Sequence, residues 1–116
     1  MMDDVTRDRM LRLLGLGVRG RGAVVGVEQV REAAHRGTLV LAVVAPDASR
    51  HSLDKIRPLL RAKRVPVVEG PAAQQLGHAV GRESTAVVGV TDPNLALGIQ
   101  RMLGPSPLGG GAEGAP

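Results

Sequence analysis

With 116 residues, no cysteine and no Phe, Tyr or Trp, the sequence has room for one compact domain whose core is filled by aliphatic side chains. This composition excludes disulfides, thiolate metal sites, a cysteine nucleophile and the stacking of nucleic-acid bases on Phe, Tyr or Trp rings. A formal net charge of +4, with 13 arginines among 15 basic residues, favours a polyanionic partner, because arginine makes bidentate contacts with phosphate. A solvated basic surface is the alternative.

The apolar periodicity predicts alternating helices and strands. In chain order these are a helix at 6–16, a strand at 23–25, a helix at 27–36, a strand at 39–45, a helix that includes 53–60, a strand at 65–68, a helix at 72–80, a strand at 86–90 and a helix at 93–103. The alternation predicts an α/β fold, a three-layer α/β/α sandwich with a mixed sheet of about four strands. Residues 1–103 are predicted to form one domain, and the Gly/Pro-rich residues 104–116 a disordered tail.

Several element positions follow from individual residues. The uninterrupted apolar run 39–45 is expected in the middle of the sheet, and Pro66 places its strand at or near an edge. Ser52 or Asp54 is predicted to cap the third helix, in which Pro58 requires either a kink or a later start.

The fourth predicted helix contains two residues that constrain it. Pro71 is expected in its first turn. Gly77, inside the helix, disfavours this element unless another backbone packs closely there. The preceding segment 50–64 carries six basic residues against a single acidic one, Asp54, and is interpreted as the solvated face of a helix.

Residues 15–20, Gly-Leu-Gly-Val-Arg-Gly, match the dinucleotide fingerprint GxGxxG. That fingerprint acts after a strand and at the start of a helix, whereas here a helical pattern precedes it and a strand follows. We therefore interpret the segment as the end of a helix followed by a flexible basic turn that carries Arg19 and Arg21.

The strand 23–25 and the helix after it meet at Gly26. The first four N–H groups of a helix have no partner inside it, so a helix start left open by a glycine turn can receive an anion or the edge of a base. This junction is the predicted functional centre of the chain.

The order of several short motifs is fairly specific. They are the GxVVG turn at 22–26, VVAPDAS at 43–49, VPVV at 65–68, QLGHAVG at 75–81 and AVVGVTDPN at 86–94. Over residues 9–103 the chain resembles the ribosomal L7Ae family of kink-turn RNA-binding proteins, and within it the bacterial YlxQ-like branch. The resemblance implies an α/β/α sandwich that binds a kinked RNA duplex.

In that family a Gly-x-Asn-Glu-x-x-Lys pattern at the second helix contacts sheared G·A pairs, and the loop before the fourth strand adds a second contact. Here Gly26 and Val27 fit, Glu28 replaces the asparagine, Gln29 stands where Glu or Gln occurs, and Glu32 replaces the lysine that meets phosphate. The resemblance and the neighbouring arginines together predict an RNA-binding set of Arg19, Arg21, Gly26, Val27, Glu28, Gln29, Arg31, Glu32, Arg82, Glu83, Ser84 and Thr85.

The sequence thus predicts a cytoplasmic, monomeric, non-catalytic RNA-binding protein associated with the ribosome or translation. Its expected partner is structured RNA, either rRNA or another kinked duplex, with ribosomal or other proteins as additional partners and no membrane. The alternative is a protein-interaction module of the same fold that has lost kink-turn binding and presents Glu28 and Glu32 to a basic surface. His35, His51 and His78 lack HExxH spacing and a nucleophile partner, so no catalytic residue, metal or cofactor is predicted.

Overall fold

Four strands form one mixed sheet in the computed structural model, which describes residues 2–104. They are β1 (Ala23–Val25), β2 (Leu41–Val44), β3 (Val67–Glu69) and β4 (Val87–Val90), in the sheet order β1-β4-β2-β3. β4 is antiparallel to both of its neighbours, and β2 is parallel to β3. β2 therefore lies inside the sheet and β3 at its edge, as predicted. The predicted tail lies outside the described residues except for Gly104.

Five helices cover the two faces of the sheet within the described residues. They are α1 (Asp4–Arg19), α2 (Gly26–Arg36), α3 (Arg50–Ala62), α4 (Ala73–Ala79) and α5 (Pro93–Leu103). α1, α4 and α5 pack on one face, and α2 and α3 on the other, so the predicted three-layer sandwich is confirmed. None of the helices described between residues 2 and 104 has the length and hydrophobicity needed to cross a membrane.

Alternate residues of β2 separate two hydrophobic cores. Leu41 and Val43 contribute to the core beneath α1, α4 and α5, while Ala42 and Val44 contribute to the core beneath α2 and α3. All four are buried, because successive side chains of a strand point to opposite faces and both faces are covered here. The helices fill these cores with the buried side chains of Met10, Leu14, Val30, Ala33, Ala34, Ile56, Leu60, Leu76, Ala96 and Ile99.

α1 extends three residues beyond its predicted end at Leu16, so that Gly15 and Gly17 both lie inside the helix. A Cβ on Gly15 would lie 2.6 Å from the carbonyl oxygen of Ala79, and a Cβ on Gly17 would collide with the side chain of Leu95. These glycines allow α4 and α5 to pack closely against α1, so tertiary contacts outweigh their low helix propensity. The interpretation of 15–20 as the end of a helix is confirmed, since α1 ends at Arg19 and no strand precedes it between residues 2 and 19.

The predicted start of α3 is wrong. The cap is Ser49, whose hydroxyl oxygen accepts a hydrogen bond from the Ser52 N–H (3.1 Å), and the helix begins at Arg50. Pro58 lies inside the helix, where it is exposed. Asp54, whose carbonyl group loses its usual N–H partner because of Pro58, is also exposed, so water can replace that bond.

The start of α4 also differs from the prediction. Pro71 precedes the cap residue Ala72 rather than lying in the first helical turn. An Asp47 carboxylate oxygen, in the loop after β2, accepts a hydrogen bond from the Ala73 N–H (2.8 Å). This long-range contact satisfies a free N–H group of the helix and sets where α4 begins.

Candidate functional site

The start of α2 is open. Gly26 has a φ of +91°, and a Cβ built on it would have no atom within 4 Å. The cap residue, Val25, is extended and cannot accept a hydrogen bond through its side chain, and no side chain among residues 2–104 accepts from an N–H group of the first helical turn. The N–H groups of the first helical turn are therefore available to an acceptor on a ligand.

Gln29 lies next to this opening and is held in place by β1. Its side-chain oxygen accepts a hydrogen bond from the Val25 N–H (3.0 Å). Because β1 is an edge strand, this N–H group has no neighbouring strand on its outer side. The hydrogen bond fixes the amide group, whose NH₂ remains as a donor for a ligand.

The loop that precedes β4 packs on α4 at Gly77. A Cβ on Gly77 would lie 2.6 Å from the backbone N of Ser84 and would also collide with its Cα, so only glycine fits without a shift of the loop. The Arg82 N–H donates to the Gly77 carbonyl oxygen (2.8 Å). The close backbone approach that would allow a glycine inside this helix is thus present, and it holds the loop against α4.

Thr85 fixes the other end of the same loop. It is buried, its N–H donates to the Ala73 carbonyl oxygen (3.0 Å), and its hydroxyl donates to the Val87 carbonyl oxygen (3.0 Å). Arg82, Glu83 and Ser84 remain exposed between these anchors. The loop therefore presents polar side chains from a backbone held at both ends.

The sheet brings this loop to the start of α2. Val25 pairs with Val88 across the antiparallel β1–β4 ladder. Gly26 leaves β1 at the same end of the sheet at which the loop enters β4 through Val87. The start of α2 and the loop before β4, which are far apart in the sequence, thus lie side by side.

The basic turn at Arg19 and Arg21 lies at the other end of β1. Gly22 in this turn accepts a hydrogen bond from the Thr91 N–H (2.9 Å), after β4 has ended. At about 3.3 Å per residue, roughly 13 Å of strand separates Gly22 from Gly26. Arg19 instead lines an open groove of about 480 Å³ between α1 and α4.

Arg31 points to α3 rather than to the open helix start. Its Nη1 donates a hydrogen bond to the Lys55 carbonyl oxygen (2.6 Å). The Lys55 Nζ in turn lies 3.9 Å from a carboxylate oxygen of Glu28, whose side chain is 81% exposed. Lys55 is therefore the cation that faces the start of α2.

Glu32 lies one turn further along α2 and pairs with Arg36 at 2.8 Å. Both side chains are largely exposed, so the pair contributes little to stability. Glu32 also lines an open groove of about 510 Å³ between α2 and the edge strand β1. A phosphate placed along this groove would lie near the Glu32 carboxylate, with the Arg36 guanidinium beside it.

The structure divides the predicted site residues into two sets. The residues brought together at one end of the sheet are Gly26, Val27, Glu28, Gln29, Arg82, Glu83, Ser84 and Thr85, with Glu32 one turn away. Arg19, Arg21 and Arg31 lie outside this group for the reasons given above. Sequence reasoning missed the placement of Lys55, because nothing in the spacing of the basic run 50–64 indicates which residue faces α2.

The described residues offer no other obvious chemical centre. No group of three His, Cys, Asp or Glu side chains between residues 2 and 104 is arranged to hold a metal ion. His35, His51 and His78 are exposed and lie on three different helices.

The chain matches the model of the ribosomal protein L7Ae/L30e/S12e/Gadd45 family over residues 8–97. It belongs to this family. A curated relative, the RNA-binding protein YlxQ of Bacillus subtilis (strain 168), is 31% identical over 84 residues, which are 72% of this chain and 84% of the relative. The match places the chain in the YlxQ-like branch of the L7Ae/L30e family.

Solved structures agree with this assignment. A protein of unknown function from Bacillus halodurans has a TM-score of 0.74 and 30% identity, over 82% of this chain and 96% of that one. The Giardia lamblia 15.5kD RNA binding protein has a TM-score of 0.72 over 90% of this chain and 89% of that one. At 20% identity the second structure shows that the L7Ae/L30e fold is shared.

Proposed function

We propose that this L7Ae/L30e family member is a non-catalytic protein that binds structured RNA containing a kinked duplex, in the cytoplasm and in association with the ribosome or translation. The observation that carries the proposal is the open start of α2 beside the loop that Gly77 and Thr85 hold in place. The names of two relatives, both described as RNA-binding proteins, support the same partner.

The chemistry of the paired segments suits exposed base edges and phosphate. Uncapped N–H groups in the first turn of α2 and the NH₂ group of Gln29 supply donors for the acceptor atoms of guanine. Arg82 contacts phosphate. Glu28 can accept a hydrogen bond from a base amino group, but its negative charge repels nearby phosphates, so the net contribution expected from its carboxylate is unfavourable. With no Phe, Tyr or Trp in the protein, stacking of bases on these rings has no part in this binding.

An electrophoretic titration tests the proposal with two RNAs of equal length and composition, one a kink-turn duplex and the other a straight duplex. We expect tighter binding to the kinked RNA, with an affinity that falls as salt rises, because Arg82 and Lys55 displace counterions from phosphates. Equal affinity for both RNAs, or an affinity independent of salt, would contradict the proposal.

A glycine pair separates folding from binding. Gly26 and Gly37 lie at opposite ends of α2, both with positive φ and with no atom within 4 Å of a built Cβ. Alanine at either position should destabilise the protein similarly, by about 1 kcal/mol, since L residues are strained there. We expect Gly26→Ala, but not Gly37→Ala, to weaken RNA binding in a titration carried out well below the unfolding temperature. An equal loss of affinity in both variants would remove Gly26 from the site.

The exposed carboxylates of Glu28 and Glu32 favour a second candidate function, a protein-interaction module that meets a basic partner. The two functions differ in whether nucleic acid is expected to co-purify with the protein. Because the chain has no Trp or Tyr, its absorbance at 280 nm is minimal and bound nucleic acid is readily detected. Protein that carries no nucleic acid and ignores both RNAs at moderate salt would favour the interaction module.

A further inference from the structure

A row of four arginines follows one side of α3 and its C-terminal turn. Arg50, Arg57, Arg61 and Arg64 are exposed, and the last three are three or four residues apart, the spacing of one helix face. No ion pair involves any of them among residues 2–104. Asp54, the acidic residue on the same side, makes none either. The row thus carries four positive charges against the one negative charge of Asp54.

This arrangement costs stability in two ways. Arg57 and Arg61 are like charges one helical turn apart, which repel each other. Arg64 adopts a φ of +58° in the turn that ends α3, where its N–H donates to the Arg61 carbonyl oxygen (3.1 Å). Gly37 occupies the corresponding place at the end of α2. Glycine would adopt this positive φ without strain. The presence of Arg64 there despite the strain indicates that its charge has a function.

The row is distinct from the start of α2. Lys55 faces α2, as its contacts with Glu28 and Arg31 show. Arg57 is two residues further on, which at 3.6 residues per turn places it on nearly the opposite side of α3. The arginine row therefore lies in the same layer of the sandwich as α2 but on the flank of α3 that faces away from it.

We propose that this row, Arg50, Arg57, Arg61 and Arg64, binds the phosphate backbone of a second segment of RNA, beyond the segment held at the start of α2. The inference rests on the proposed function. Arginine forks match phosphate geometry. The exposed large apolar side chains among residues 2–104 are Val5, Leu16, Val67 and Leu97. None of them lies in α3, although protein interfaces usually bury such groups at their centre.

The test compares two triple variants of equal charge change. The first is Arg57→Gln, Arg61→Gln and Arg64→Gly, and the second is Arg9→Gln, Arg12→Gln and Arg101→Gln, on α1 and α5 across the sheet. Each is titrated, at several salt concentrations, with the kink-turn duplex and with the same duplex lengthened by about one helical turn. Thermal unfolding verifies that both variants are folded.

We expect the wild type to bind the longer duplex more tightly than the shorter one. The α3 variant should lose this gain, bind the longer duplex about tenfold more weakly and have a salt slope lower by about 2 to 3, since each phosphate contact contributes about 0.9. The α1/α5 variant should retain the gain. If the α3 variant binds both RNAs as the α1/α5 variant does, this inference is wrong while the proposed function stands. The same holds if the α3 variant keeps wild-type affinity for both RNAs but no longer binds polyglutamate, an acidic polypeptide titrated in parallel. If the wild type binds neither RNA, both are wrong.

Discussion

Gly77→Ala is expected to destabilise the protein by about 1–3 kcal/mol and to weaken RNA binding roughly tenfold. The added methyl group would meet the backbone of Ser84, with its N at 2.6 Å and its carbonyl carbon at 2.8 Å, so it cannot be accommodated by rotating a side chain. The loop must move away from α4, which displaces Arg82 and Ser84 relative to the start of α2. Thermal unfolding and an RNA titration measure the two effects.

Gly98→Ala is the matched control for this substitution. Gly98 also lies inside a helix, α5, but a Cβ built there has no atom within 4 Å. Alanine at this position should stabilise the protein by about 0.5–1 kcal/mol through its higher helix propensity and leave RNA affinity unchanged. The explanation of Gly77 fails if both variants shift stability in the same direction, or if Gly77→Ala binds RNA like the wild type.

Glu28→Asn combined with Glu32→Lys is expected to raise the affinity for kinked RNA at moderate salt by roughly tenfold or more, at least about 1.4 kcal/mol. The double change removes two carboxylates that repel phosphate and supplies one lysine to contact it. It gives up the Glu32–Arg36 pair, but that pair is largely exposed and contributes at most about 1 kcal/mol to stability. The salt slope should steepen by about 1 as the new lysine displaces a counterion.

A second double variant controls for the change in net charge. Asp8→Asn with Glu69→Lys alters the charge equally at exposed positions on α1 and β3, away from the start of α2. It should bind RNA with nearly wild-type affinity. A gain as large as that of the α2 variant would mean that overall charge, rather than contact at α2, controls binding. No gain in the α2 variant would mean that Glu28 or Glu32 already contributes favourably to RNA binding.

The parts of the fold that depend on local pattern were predictable from the sequence. The alternation of apolar runs predicts the element order and the three layers, because strand and helix periods differ. Gly26 marks the junction of β1 and α2 through its need for positive φ. Gly77 requires a close backbone neighbour, and the structure supplies Ser84.

The parts that depend on long-range contacts were not predictable. α1 continues through Gly17 to Arg19, where the absence of a side chain on Gly17 lets Leu95 pack against the helix, and α4 begins where Asp47 supplies an acceptor. Arg31 is directed away from the helix start by a hydrogen bond to Lys55, 24 residues away. Neither the charge nor the spacing of a residue indicates which neighbour the fold places beside it. Arg19 and Arg21 likewise lie close to Gly26 in sequence, but they lie at the opposite end of β1 from it.

The central claim is that the start of α2 and the loop before β4 form one RNA-binding surface. Its most direct test follows the backbone amide signals of the isotope-labelled protein by NMR during titration with the kink-turn duplex. The largest shifts are expected at residues 26–29 and 81–85 together. Shifts confined to the turn at 19–22 or to α3, with residues 26–29 unchanged, would contradict the claim.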